Sequence, residues 1–386
     1  MHSPVVPPAH HADPVEPFHA IKLSRLARRL EGEGRSIIHL EFGQPSTGAP
    51  AAAIKRAADV LASDPGSYWE SEPLKSRIAA LYQTRHGVTV APERIVLTCG
   101  ASPALVLALA SAFRPGDVIA MARPGYVAYR NNVRALGMQL QEIACGPESR
   151  YQITAAHLAA LDPAPAGVII ASPANPTGTI IPADEMQAIA RVCEERGIRI
   201  VSDEIYHGLS FIGPVASALE HAPDALVVNS FSKYYSMVGW RLGWLVAPDD
   251  LLDAARARMG NLFLTAPTLS QHAGLVAMDC EDELESHIAR YAANRRLMLD
   301  ALPAMGLTKI APPDGAFYIW ADVAHLTNDS MRFAEQLLID TGVATAPGID
   351  FDPVEGRRFM RFSFAADTPL VKEAIARMTP WFQARA

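Results

Sequence analysis

Residues 167–203 read GVIIASPANPTGTIIPADEMQAIARVCEERGIRIVSD. An apolar run, Gly167–Ala171, stops at a turn rich in proline and glycine. A helical pattern follows over 183–196, and a second apolar run, Arg199–Asp203, closes the stretch. Two short buried strands joined through a helix form a parallel unit, because parallel neighbours need a crossover. The alternation extends both ways. Upstream, strands are expected over Ile95–Thr98, Val118–Ala122 and Gln139–Ile143, with helices over 103–113, 126–136 and 154–161; downstream comes the strand Leu226–Ser230. The class is therefore α/β, a mostly parallel sheet covered by helices on both faces. Helices over 21–32, 50–62 and 74–86 and a strand over Ser36–Phe42 precede this block, and helices over 268–279 and 281–302 follow it. Strands near Phe317–Ala321 and Phe359–Phe364, with helices over 330–341 and 369–380, form a smaller α+β unit. The expected organisation is an extended arm over 1–20, a part of the small domain over 21–49, a large domain over 50–300 and a small domain over 301–386.

Composition removes several classes of function. Of 386 residues, 49% are apolar and 19% charged, which supplies a large core and excludes disorder for most of the chain. The net charge of −7 is wrong for a nucleic-acid-binding face. Cys99, Cys145, Cys193 and Cys280 are too far apart for a zinc or redox pair and suit a reducing cytoplasm. The start of the chain lacks a signal-peptide pattern, and the uncharged run 95–113 reads as strand, turn and helix rather than a membrane span. The Pro- and His-rich residues 1–20 lack ligand spacing and read as a solvated arm. Only six lysines occur: Lys22, Lys55, Lys75, Lys233, Lys309 and Lys372. Of these, Lys233 alone sits in a strand-end motif.

The nucleotide-loop and hydrolase patterns GxGxxG, GxxxxGK[ST] and GxSxG are absent. Ligands of parallel sheets sit at the carboxyl ends of strands, so those ends decide the chemistry. Thr98-Cys99-Gly100-Ala101-Ser102 opens a helix after a strand. It fits a phosphate held by free N–H groups, or a plain helix cap at Ser102. Tyr126 follows the next strand and could stack on a planar ring or fill the core. Asn175, in SPANPTG, points an amide into the crevice or merely shapes a turn. Asp203 ends an apolar strand, where a buried carboxylate needs a partner: a following helix or a positive ring nitrogen. Lys233, after Ser230-Phe231-Ser232, stands among aromatics and hydroxyls whose partial desolvation would make its amine nucleophilic. Arg241 could neutralise a phosphate or carboxylate, and Arg361 could clamp a substrate carboxylate or form a structural pair. Taken together, these residues match what a pyridoxal phosphate site requires.

From about Leu23 to Trp381 the sequence resembles the class I and II aminotransferases, pyridoxal-phosphate enzymes of fold type I with an aspartate aminotransferase-like fold. The resemblance rests on SPANPTG at 172–178, SDEIY at 202–206 and SFSKYYSMVGWRLGW at 230–244. FGQP at 42–45, TCGAS at 98–102, PDGAFY at 313–318 and RFSF at 361–364 add weaker support. It implies that Lys233 forms a Schiff base with the cofactor and shuttles a proton. It further implies that Asp203 pairs with the ring nitrogen, that Asn175 and Tyr206 hydrogen-bond the phenolic oxygen, and that Tyr126 stacks on the ring. Ala101, Ser102, Ser230 and Arg241 would hold the phosphate. Arg361, with Asn175 and the backbone at Gly43, would hold the substrate α-carboxylate. The implied reaction moves an amino group from an L-amino acid to a 2-oxo acid, with a C–S β-lyase or another reaction on the same scaffold as the alternative.

Two departures stand out. The family's glycine and Leu-Arg string after an interface tyrosine is replaced by Tyr68-Trp-Glu-Ser-Glu-Pro-Leu74-Lys75, so Tyr68 is the residue expected to reach the neighbouring subunit's phosphate. The run Pro347-Gly348-Ile-Asp-Phe351-Asp352 lacks the glycine usual after its phenylalanine. The place of Ser102, where some aspartate-specific members carry lysine, argues against aspartate. A homodimer with shared sites follows from the resemblance, with Thr265 as a second crossing residue. Tyr68, Trp69, Tyr129 and Phe263 are the aromatics expected near the substrate side chain. A transcription regulator built on this fold would need a DNA-binding module ahead of Lys22, where only about 20 residues stand.

Overall fold

The computed structural model describes residues 15–64 and 66–385. Among these described residues eleven strands form two sheets: β1 Ile38–Leu40, β2 Ile95–Thr98, β3 Val118–Arg123, β4 Gln139–Ala144, β5 Gly167–Ala171, β6 Arg199–Asp203, β7 Leu226–Ser230, β8 Gly243–Val246, β9 Tyr318–Asp322, β10 Val343–Pro347 and β11 Phe359–Ser363. The large sheet runs β2-β8-β7-β6-β5-β3-β4. Its pairs from β4 through β3, β5 and β6 to β7 are parallel, while β8 is antiparallel to both β7 and β2. The expected α/β class and mostly parallel sheet are what the chain adopts. β8 is an addition to the expected elements: the residues 231–242 turn the chain straight back beside β7.

This order places chemistry on one edge. β3 leads outward to β4, and the chain then returns to lay β5 on the other side of β3. That reversal opens a crevice between the ends of β3 and β5, where Tyr126 and Asn175 follow their strands. Because β8 starts where β2 and β7 end, Thr98 and Ser230 both pair with Gly243. The helix Ala101–Ala112, free of charge, packs Ala104, Leu105, Leu107, Ala108 and Leu109 into the core. Its burial accounts for the apolar run that hydropathy alone could mistake for a span. Among the described residues no helix is long and apolar enough to cross a membrane.

The small sheet runs β1-β10-β11-β9. β1 joins it in parallel with β10, pairing Ile38 with Val343, so the beginning of the chain closes against its end. β11 lies between β10 and β9, and Arg361 faces Ala346 on one side and Trp320 on the other. β10 and the helix Asp249–Leu262 also lie outside the expected elements. The arm expected over 1–20 divides at residue 15. Residues 1–14 lie outside the described part, while residues 15–20 are tied down and a helix already begins at His19.

Candidate active site

A cavity of about 420 Å³ opens at the carboxyl ends of the large sheet, with the small sheet as its far wall. At its rim the helix Ala101–Ala112 begins. Its N-cap is Gly100, at φ 101°, with no side-chain cap bond, so Ser102 stands inside the first turn and is not the cap. The left-handed backbone favours glycine here, and space demands it: a Cβ at 100 would lie 2.5 Å from Arg241 Nη2. Uncapped N–H groups, the Ser102 hydroxyl, Ser232 and the Arg241 guanidinium thus border one small space. This is a donor set for a phosphate.

Deeper in the cavity lies Asp203, at the end of β6. Its Oδ2 accepts from the Tyr129 hydroxyl at 2.5 Å and its Oδ1 from the Ile205 N–H at 3.1 Å. The second bond forms a turn rather than a helix cap, since no helix follows. Burial raises its pKa, opposed by these two bonds and by the Lys233 charge. A carboxylate held this way gains from a cationic partner. Tyr126 lines the slot beside it, its own hydroxyl pushed up to about 12 by burial. Asn175 and Tyr206 line the same cavity.

Lys233 is partly buried, and its Nζ donates to the Gly43 carbonyl at 2.5 Å. Burial lowers its pKa to about 8; the Arg361 and Arg241 charges act in the same direction, and Asp203 opposes them. Near neutral pH a useful fraction of this amine is therefore uncharged. Arg361 is buried. Nη1 donates to Asn175 Oδ1 at 2.8 Å and Nη2 to the Glu41 carbonyl, and the guanidinium carbon lies 4.4 Å from the Tyr318 ring and 4.6 Å from the Phe351 ring. Among the described residues its Nε has no partner. Gly43 is required by close approach: a Cβ there would fall 1.5 Å from the Tyr318 hydroxyl.

Residues 16–21 form the remaining wall. Glu16 is held by Arg134 at 3.0 Å and Arg130 at 3.5 Å, and Asp350 accepts from the N–H groups of His19 and Ala20 at 2.7 and 2.8 Å. Phe18 and Ile21 thereby face the cavity, and the Phe18 ring sits 6.0 Å from that of Tyr126.

Nearly all the residues expected at the site therefore converge: Gly43, Ala101, Ser102, Tyr126, Asn175, Asp203, Tyr206, Lys233, Arg241 and Arg361 line one cavity. Ser230 does not. It is buried behind the loop, where its hydroxyl accepts from the Ser232 N–H at 3.0 Å, and Ser232 takes the place on the wall. Tyr68 is 84% exposed and borders a separate hollow with Trp69 and Thr265. Of the four aromatics expected near a substrate side chain, Tyr129 alone lines the cavity, and its hydroxyl is committed to Asp203. Trp69 stacks on His272, and Phe263 packs against the core. Lys75, on a helix as expected, is buried beside Glu72. Among the described residues no cluster suited to a metal ion occurs.

An anion cradle, a buried carboxylate, a flanking aromatic and an amine of lowered pKa on one cavity suit pyridoxal phosphate, and with this fold they define an enzyme of that cofactor. Comparison with known proteins agrees. Residues 35–378 match the model of the family described as aminotransferase class I and II, and the chain belongs to that family. It is 45% identical to the valine–pyruvate aminotransferase of Mycobacterium tuberculosis over 95% of this chain and 96% of the relative. A crystal structure of an aminotransferase from Mycobacterium tuberculosis superposes with a TM-score of 0.93 at 43% identity, over 99% of this chain and 100% of that one. The aspartate aminotransferase of Thermus thermophilus, crystallised with maleate, gives 0.88 at 29% identity, over 95% and 97%. The protein is thus a pyridoxal-phosphate-dependent transaminase acting on amino acids and 2-oxo acids.

Proposed function

We propose that Lys233 is the covalent anchor of the cofactor and the base of the reaction, and that the donor is an L-amino acid with a neutral, apolar side chain. Bound pyridoxal phosphate supplies an electron-withdrawing ring that accepts the electron pair left when the α-proton of an amino acid is removed. Ser102, Ser232, Arg241 and the first turn of the helix Ala101–Ala112 hold its phosphate. Asp203, fixed by Tyr129, keeps a positive charge on the ring nitrogen, and Asn175 and Tyr206 serve the phenolic oxygen. Arg361, steadied by Asn175 and the Glu41 carbonyl, takes the substrate α-carboxylate. The Lys233 amine would take the α-proton of the bound amino acid at Nζ and hold it for return.

The observation that carries this reading is the convergence of Lys233, Asp203 and Arg361 on one cavity. The donor class is supported by the rest of the wall. Its cations are Lys233, Arg241 and Arg361, which leaves none among the described lining residues for a second substrate carboxylate. Phe18, Ile21 and Val238 offer apolar surface instead. The similarity to a valine–pyruvate aminotransferase points the same way. The test reduces the holoenzyme with borohydride and maps the labelled peptide, then presents a panel of donors and reads the loss of the visible band. Label on the peptide containing Lys233 and turnover of aliphatic donors with pyruvate are expected. Label elsewhere, or a preference for aspartate, refutes the assignment.

The working unit in this reading is a homodimer. Exposed Tyr68 and Leu264 border one hollow, and the bonds from Thr265 and Thr268 to the Trp69 and Ser67 carbonyls join its two segments. Light scattering that finds an active monomer refutes it.

A further inference from the structure

PDGAFY at 313–318 turns the chain into β9. Its last residue, Tyr318, opens β9 and is 1% exposed. Three groups of the site meet on it. Its ring carries the Arg361 guanidinium at 4.4 Å. Its hydroxyl lies 2.6 Å from the Tyr206 hydroxyl, the sole hydrogen-bond partner recorded for it among the described residues. Its tip fills the space that a side chain at 43 would take, against the backbone whose carbonyl receives Lys233.

We propose that Tyr318 is a positioning residue that joins the substrate-carboxylate arginine to the cofactor-facing tyrosine, its ring seating Arg361 and its hydroxyl orienting the proton of Tyr206. The inference rests on the roles given above to Arg361 and Tyr206. Burial raises the pKa of both hydroxyls, so each keeps its proton and one of the two must donate to the other. When the Tyr206 hydroxyl donates its hydrogen bond to an anionic oxygen in the cavity, its own oxygen is left to accept, and Tyr318 is the donor. The order Tyr318 to Tyr206 to acceptor then strengthens Tyr206 as a donor, because each hydrogen bond polarises the next. The guanidinium over the ring face is a separate contact, held in a desolvated place where such contacts are strongest. Hydroxyl and ring thus have separable jobs.

Separability gives the test. Tyr318→Phe keeps the ring and removes the hydroxyl; Tyr318→Leu removes both. Two quantities are read besides turnover. One is the affinity of the apoprotein for isovalerate, an unreactive monocarboxylate, by calorimetry. The other is the pH midpoint of the visible-band change in the holoenzyme. Tyr318→Phe is expected to bind isovalerate within about twofold of the wild type but to raise the midpoint by about half a unit, because a weaker donor leaves more charge on the phenolic oxygen. Tyr318→Leu is expected to lose isovalerate affinity about tenfold as well. In a Tyr206→Phe background, Tyr318→Phe should move the midpoint no further. If Tyr206→Phe moves the midpoint and Tyr318→Phe does not, the proposal fails while the reading of Tyr206 stands. If Tyr206→Phe moves nothing, both fail. Should Tyr318→Leu not fold, Tyr318→Phe and the double variant still decide the hydroxyl's part, and Tyr318→Met replaces Leu for the ring.

Discussion

Asp203 and Glu204 are adjacent, both acidic and both buried, yet they face opposite sides at the end of β6. Asp203 looks into the cavity, with one donor on each oxygen and an open wall beyond. Glu204 looks into closed protein. The Ser217 hydroxyl, the Ala218 N–H and the Ser202 hydroxyl reach it at 2.9 to 3.2 Å, with His207 3.4 Å away. Burial raises the pKa of each, that of Glu204 to about 7. Burial and a displaced pKa therefore do not separate a carboxylate that faces a cavity from one enclosed by its own chain. The surroundings do: Glu204 is saturated by its own chain, whereas Asp203 has room beside it for a foreign cation.

The contrast can be broken by exchanging the consequences. Asp203→Ala should cut turnover by about 10²–10³-fold, the scale of losing one preorganised electrostatic partner, with little change in the unfolding midpoint. Glu204→Ala should do the reverse: it strands several buried donors, costs about 3 kcal/mol in stability by denaturant titration, and leaves turnover per folded molecule nearly intact. Equal behaviour of the two variants would dissolve the distinction. A smaller effect sharpens it. Glu204 has its pKa raised on folding, so its contribution to stability is full below about 4.5 and is lost as the pH rises through about 7. Glu204→Gln lacks that loss, so its stability relative to the wild type should improve between pH 4.5 and 7; a constant difference would show that Glu204 is not held neutral. The smallest effect belongs to Tyr129→Phe, which removes one donor from Asp203. About a tenfold fall in turnover is expected, and the fall should vanish in an Asp203→Asn background.

Much of this was readable from the residues. The strands Ile95–Thr98, Gly167–Ala171, Arg199–Asp203 and Leu226–Ser230 are apolar runs bounded by turns, and the structure gives them those limits. β8 was silent, since its four residues, Gly-Trp-Leu-Val, follow Gly-Trp-Arg-Leu with no turn signal between them. β10, Val-Ala-Thr-Ala-Pro, has little apolar mass and ends on proline. The helix Asp249–Leu262 was a missed signal rather than a silent one, because Asp249 and Asp250 mark its first turn. In the site, side chains within strand-end motifs were legible. Those that act through long-range pairing were not: the Glu41 carbonyl on Arg361, Asp350 on the backbone of His19, and Tyr318 against Tyr206. Ser230 and Ser232 show the finest limit, because two residues of one motif differ only in which way the chain turns after β7.

The connection from β7 back into β8 also sets a timetable for biosynthesis. Lys233 and Arg241 lie on that one loop, and their strands pair as soon as residue 246 has left the ribosome and can fold, a local contact of the kind that forms quickly. Arg361 and the Glu41 carbonyl stand 320 residues apart, and β1 has no partner until β10 is made. A chain halted before β11 therefore carries Lys233 and Arg241 but lacks Arg361. The cavity has all its lining residues only once translation has passed Arg361.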